Sequence, residues 1–213
     1  MNIGFLFDLD GVLIDSEKEY SRIWSKINSE FPTGIENLED KIKGSTLTKI
    51  LTEYYDSEEI REKVAKRLHE LENRMKYNYL PYAENFLLEL KRRNIPCVLV
   101  TSSDDEKMNH LWLQIPRLKD FFSSIVTGNQ VKTSKPSPEG YLTGAASICA
   151  NPSNCVVFED SLQGVMAGNN SGAFVVGVAG TLPAESLAPY SHLVINNFNE
   201  IDIDDLIQIL SER

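Results

Sequence analysis

Short apolar runs that stop abruptly at polar residues constrain this chain more than any other feature. Residues 3–7 (IGFLF) end at Asp8, residues 95–100 (IPCVLV) at Thr101, and residues 155–158 (CVVF) at Glu159. Runs of this length are short for helices and too continuous for half-exposed strands. They read as strands buried on both faces, as in a parallel sheet. Residues 173–178 (AFVVGV) have the same character, and residues 124–126 (SIV) give a shorter candidate. Between the runs the apolar period becomes helical. Ala83, Phe86, Leu87 and Leu90 share one face, as do Met108, Leu111, Trp112 and Ile115, and again Ile203, Leu206, Ile207 and Leu210. A further helix is expected after Ser161. Another is expected to begin at Ser137–Pro138, with Ser as N-cap and Pro in the first turn. The alternation from residue 95 onward predicts an α/β fold with a Rossmann-like, doubly wound parallel sheet. The first strand must join that sheet, because a lone strand is not stable.

Residues 15–80 behave differently. Tyr20, Ile23, Trp24 and Ile27 repeat at helical spacing, as do Ile60, Val64, Leu68, Leu71 and Met75, and no strand run interrupts them. This predicts a helical insertion at 15–80, with 1–14 and 81–213 forming the sheet-containing core. Gly164, Gly168 and Gly172 recur at four-residue spacing without a GxGxxG fingerprint, which predicts close helix–sheet packing rather than a dinucleotide site.

Charge and cysteine usage narrow the partners. The 213 residues carry 31 acids against 21 Lys and Arg, a net charge of −10, and no basic run. Nucleic acid and anionic membranes need clustered cations, so neither is an expected partner. The N-terminal residues lack a basic n-region, and no stretch of 18 apolar residues occurs, so neither a signal peptide nor a membrane span is expected. Cys97, Cys149 and Cys155 are odd in number and form no CxxC pair. They read as reduced core residues of a cytoplasmic protein.

In an open α/β sheet, ligands gather outside the carboxyl ends of the strands. The residues that follow the strands are therefore the candidates: Asp8 and Asp10, Thr101 and Ser102, Glu159 and Asp160, with Lys135 ahead of the helix after the third strand. Four carboxylates in one crevice repel one another unless a cation neutralises them, and hard oxygen ligands favour Mg²⁺ over Zn²⁺. Lys135, the Thr101 hydroxyl and backbone N–H groups supply what a phosphate needs. Acids, a hard cation and phosphate donors together point to phosphoryl transfer. Asp8 and Asp10 are two apart, so in extended backbone their side chains lie on one side. One can then attack phosphorus while the other handles a proton.

FDLDGV, VLVTSS, SKPSPE and VVFED, in this order, resemble the four motifs of the haloacid dehalogenase superfamily, and the 15–80 insertion resembles that family's helical cap. DGVLIDSE is similar to the branch that contains β-phosphoglucomutase and small sugar-phosphate phosphatases. The resemblance implies that Asp8 is the nucleophile, forming an aspartyl-phosphate, and that Asp10 is the general acid and base. It implies that Thr101, Ser102 and Lys135 hold phosphate. Mg²⁺ would be held by Asp8, the Asp10 carbonyl, Glu159 and Asp160. It further implies that the cap selects the substrate, a small phosphorylated metabolite, with Glu17, Lys43 and Ser45 as the cap residues to watch. Glu17 has an alternative reading as a cap of the first helix.

The expected activity is Mg²⁺-dependent hydrolysis of a small phosphomonoester, a sugar phosphate, by a monomer. The alternative is a β-phosphoglucomutase-type isomerase. Where the mutase has an Arg for its second phosphate this chain has Leu47, and where the mutase has a His in its first cap helix Tyr20 stands; both favour hydrolysis. A phospho-accepting receiver module is the alternative from another class. Such modules are shorter, lack the insertion and carry the accepting Asp on a later strand.

Overall fold

The computed structural model describes residues 2–213. Six strands form one sheet: β1 (Gly4–Phe7), β2 (Cys97–Val100), β3 (Ser124–Val126), β4 (Cys155–Glu159), β5 (Phe174–Val178) and β6 (Leu193–Ile195). All pairings are parallel and the spatial order is β3-β2-β1-β4-β5-β6, the doubly wound order expected. Chain direction through the sheet reverses beside β1, between its neighbours β2 and β4. A crevice opens there, outside the carboxyl ends. β6 is not among the expected strands: its apolar run, Leu193-Val194-Ile195, is only three residues long. It is an edge strand with Leu193 exposed.

The strands alternate between two cores. Phe5, Phe7, Val156 and Phe158 face one layer, while Leu6, Val98, Val157 and Val175 face the other. Phe7 and Phe158 stack at 4.7 Å between centroids, and Phe86 and Phe198 close the cluster. Each fully buried aromatic side chain of this kind contributes about 1.5–3 kcal/mol of transfer free energy. The cluster lies directly beneath the strand ends that carry the candidate acids.

Four helices follow β1: α1 (Glu17–Glu30), α2 (Leu38–Lys41), α3 (Leu47–Tyr54) and α4 (Glu58–Glu72). They bury Ile23, Trp24, Ile27, Leu38, Ile50, Val64 and Leu68, the residues whose spacing makes α1, α3 and α4 amphipathic. The two links between this cap and the core run side by side. Ile14 bridges Tyr79, Leu80 N–H donates to the Leu13 carbonyl at 2.8 Å, and Asp15 N–H to the Asn78 carbonyl at 3.0 Å. The core helices are α5 (Ala83–Arg92), α6 (Asp105–Gln114), α7 (Glu139–Ser147), α8 (Leu162–Asn170), α9 (Ala184–Leu187) and α10 (Ile203–Ser211). Among the described residues, no helix is long and apolar enough to cross a membrane.

Three local expectations change. α7 is capped by Pro138 rather than Ser137, whose hydroxyl instead accepts from the Glu139 N–H two residues on, at 3.3 Å. Cys97 and Cys155 are buried, but Cys149 is exposed, because it forms the left-handed turn (φ 54°) that leaves α7. Gly168 does pack against Val157 and Val175, whereas Gly172 faces open space and serves a turn at φ 84°.

Candidate active site

Asp8 ends β1, and its N–H pairs with the Phe158 carbonyl of β4 at 3.0 Å, which pins it at the reversal point of the sheet. One carboxylate oxygen, Oδ1, accepts from Lys135 Nζ at 2.6 Å. Lys135 also donates to Glu159, and Tyr141 of α7 donates its hydroxyl to the same Glu159 oxygen at 2.7 Å. The other Glu159 oxygen accepts from the Asp160 N–H and the Ser161 hydroxyl, both at 3.1 Å. Glu159 is therefore fully enclosed by donors. α8 approaches it so closely that only glycine fits at Gly164, where a Cβ would overlap the carboxylate.

Asp160 differs from Glu159 in having an oxygen, Oδ2, that is buried without a hydrogen-bond partner. Gly11, at φ 72°, lets the loop after Asp10 turn against it; any side chain there would strike that carboxylate. Asp8, Glu159 and Asp160 each bring a carboxylate oxygen within 4.8 Å of the others. Burial, opposed by Lys135 and reinforced by Glu159 and Asp10, pushes Asp8 up to about 8. Burial together with Glu17, Glu159 and Asp8 pushes Asp160 well above the usual carboxylate range. Lys135 stays protonated although burial opposes it, because Asp8 and Glu159 outweigh that cost. The protein thus gathers more negative charge than its own lysine balances. An orphaned buried oxygen, hard donors and surplus charge are what a divalent oxygen-seeking cation fits.

Asp10 meets a different set of partners. Burial would raise its pKa, but Lys107 beside it, with the hydroxyls of Ser16 and Ser103, holds the carboxyl below the usual range. Lys107 Nζ lies 2.5 Å from Oδ2, Ser103 donates to the same oxygen at 3.0 Å, and Ser16 donates to Oδ1. Lys107 is 4 % exposed, and its ammonium sits 4.1 Å above the Tyr20 ring, whose hydroxyl donates to Glu72. The sequence reading misses Lys107, Ser103 and Tyr141. A signal for Lys107 existed: a cation in the first turn of a helix opposes the macrodipole, and such a placement calls for a compensating acid.

Thr101 and Ser102 end β2. Thr101 is buried and its hydroxyl accepts from the Ser103 N–H at 3.0 Å, while Ser102 donates to the Gly44 carbonyl of the cap at 2.8 Å. Asp8, Asp10, Thr101, Ser102 and Asp160 line one cavity from the core side, and Glu17, Lys43 and Ser45 line it from the cap. Lys135 and Glu159 stand behind Asp8 rather than in the cavity wall. Glu17 is raised to about 7 by burial and by Asp10, against Lys43 and Lys107. Tyr20, Trp24, Ile42, Leu47, Ile50 and Leu68 give the cap wall its apolar part, and Ser21, Glu39 and Glu72 add polar groups to it. Trp24 is thus both core and lining.

Known proteins are similar to this chain over most of its length. A hexitol phosphatase A of Escherichia coli is 32% identical over 181 residues, covering 82% of each chain. A phosphorylated carbohydrates phosphatase of Thermotoga maritima is 31% identical over 78% of this chain and 80% of its own. A β-phosphoglucomutase of Clostridium difficile superposes with a TM-score of 0.82 at 27% identity, over 100% of this chain and 98% of its own. The sequence profile described as haloacid dehalogenase-like hydrolase matches residues 5–178, from β1 through the cap to the end of β5. With the profile spanning every strand that contributes an acid or hydroxyl to the crevice, this chain belongs to the haloacid dehalogenase-like hydrolases.

Proposed function

We propose that this protein is a Mg²⁺-dependent phosphatase that hydrolyses a small phosphomonoester, a sugar phosphate, through an aspartyl-phosphate on Asp8. The observation that carries the reading is the Asp8 carboxylate. One oxygen is held by Lys135, and the side chain faces a cavity that Asp10, Thr101 and Ser102 also line. Relatives named as phosphatases of hexitol phosphates and phosphorylated carbohydrates support the substrate class.

Asp8 attacks phosphorus, and the bond from phosphorus to the leaving oxygen breaks. Asp10 gives a proton to that oxygen: its partners favour the carboxylate in the empty site, and the negative charge of a bound phosphate beside it would favour the protonated form. Asp10 is then the carboxylate that Lys107, Ser16 and Ser103 stabilise, and in that form it takes a proton from the water that cleaves the acyl-phosphate. Inorganic phosphate leaves and Asp10 is protonated again, so the cycle closes. Lys135, the Thr101 hydroxyl and the Ser102 N–H receive the charge of the transferring group. Mg²⁺, held by Asp8, Asp160 and the Asp10 carbonyl, would offset the charge of phosphate and carboxylates. Glu159, whose oxygens are already engaged, would add its charge and keep Lys135 aimed at Asp8.

Hydrolysis is favoured over mutation of a sugar phosphate by the cap wall. A mutase must hold a second phosphate. Here the cavity cations are Lys43, paired with Asp40 at 3.2 Å, and Lys107, paired with Asp10, and no arginine lines the cavity among the described residues. The test is phosphate release from a panel of phosphomonoesters with Mg²⁺ and with EDTA, with glucose 6-phosphate formation from β-glucose 1-phosphate followed in parallel. Mg²⁺-dependent release is expected. Isomerisation without release would overturn the reading.

A further inference from the structure

His69, on α4 of the cap, lies outside the cavity and has no part in the chemistry above. Its ring reaches across to the start of α6 in the core. Nε2 is 3.0 Å from Asp104 Oδ2, and Nδ1 is 2.9 Å from Glu106 Oε2. A neutral imidazole carries one N–H and can donate from only one nitrogen. The hydrogen bond is to Asp104, and a neutral ring donating it would turn a bare Nδ1 lone pair toward the Glu106 carboxylate, so only the imidazolium suits both acids. Glu72 of its own helix adds a third acid at 3.9 Å. Lys107, the nearest cation of α6, is turned away onto Asp10. Among the described residues, no other ion pair joins α1–α4 to the core: Arg67 pairs with Glu30 and Glu70, Lys63 with Glu59, and Lys43 with Asp40, all within the cap.

We propose that His69 is a positioning residue for the reaction, a protonated clasp that holds the cap closed over the active site through Asp104 and Glu106. Neutral hydrogen bonds also join cap and core near the cavity, Ser102 to the Gly44 carbonyl and the Thr46 N–H to Ser134, and the Lys107 ammonium lies over the Tyr20 ring. Glu17 faces Asp10 across the cavity and adds a pH-dependent repulsion of its own, so the clasp is read from the difference between the wild type and a His69 variant, which Glu17 leaves unchanged. The hydrogen bond to Asp104, together with the charges of Asp104, Glu72 and Glu106, raises His69 above its ordinary value although burial opposes this. When the cap opens, Asp104 and Glu106 are left behind, only Glu72 of the same helix stays with the ring, and the imidazole falls back toward its ordinary value of about 6.5. The group's closed-state pKa is the raised one, so its contribution to closure is complete below about 6.5 and is lost as pH rises through the closed-state value.

The test has two arms on the full chain. In the first, the His69 ring is titrated by NMR without substrate, in the wild type and in Asp104→Asn, which keeps an oxygen to cap α6. The wild type is expected to titrate above the ordinary value and the variant lower. Equal titration at the ordinary value in both overturns the proposal. In the second, kcat and KM are compared between the wild type and His69→Gln on the best phosphomonoester of the panel. KM is expected to rise roughly five-fold in the variant at pH 6, with the ratio falling toward one by pH 9 and kcat little changed. A KM ratio that is flat with pH, or a loss confined to kcat, overturns it. The first arm needs no turnover, so it stands even if the phosphatase reading fails.

Discussion

The floor and the roof of the cavity are built to different standards. On the core side the carboxylates are tied into a shared lattice: Lys135 joins Asp8 to Glu159, Glu159 also has Tyr141, Ser161 and backbone, and Asp10 has Lys107, Ser16 and Ser103. Those contacts are buried, so each is strong and each is costly to lose. On the cap side, Glu17 and Ser45 face the cavity without such a lattice, Lys43 has one acid three residues before it, and Ser21, Glu39 and Glu72 are interspersed in a wall that is otherwise mostly apolar. Under the proposed function, the geometry that must be accurate is the one the core holds tightly, and the geometry that would choose among substrates is the one held loosely.

That contrast can be broken or sharpened by substitution. Asp8→Asn removes the nucleophile and is expected to lower turnover by on the order of 10⁴-fold or more, with the thermal transition preserved; residual hydrolysis close to wild type would move the nucleophile elsewhere. Asp10→Asn should cost about 10²–10⁴-fold on a sugar phosphate and clearly less on an activated aryl phosphate, whose leaving oxygen needs no proton. Equal losses on both would remove its acid role. Lys135→Met leaves Asp8 and Glu159 as unbalanced buried charges. Unfolding in the absence of Mg²⁺ should show a loss of roughly 3–5 kcal/mol, and an unchanged melting temperature would show that the core contacts are not the scaffold described. Lys43→Ala, on the roof, should change KM by less than about ten-fold with stability held within ~0.5 kcal/mol. A collapse of kcat there would erase the distinction between the two sides.

Much of this was readable from the chain because buried strands and their polar terminators are local features. Asp8, Thr101 and Glu159 announce themselves by ending apolar runs, and the parallel sheet follows from the runs themselves. What escaped the reading depends on side chains that cross between elements. Lys107 stands amid DDEK, which looks like an ordinary solvated helix start until α6 is seen to aim it at Asp10. Tyr141 looks like one more apolar residue of a helix, and only its approach to Glu159 gives the hydroxyl a purpose. Cys149 was read as buried from its residue type, but a turn after α7 exposes it. β6 has strand-forming residues, LVI, but only three of them and partly open to solvent, so its pairing with β5 and not its length identifies it as a strand.

The two paired links at Ile14 and Tyr79 have a mechanical consequence. Asp10 lies four residues from Ile14 on one short loop, and the Gly11 N–H is tied back to the Ile14 carbonyl at 2.9 Å. Asp8 lies upstream of that tie, clamped by β4 and Lys135. Torque from any swing of the roof would therefore enter the chain at the base of the loop and reach Asp10 first, while Asp8 sits in bedrock. Under the proposed function, connectivity alone would make the acid a passenger of the door and the nucleophile part of the house.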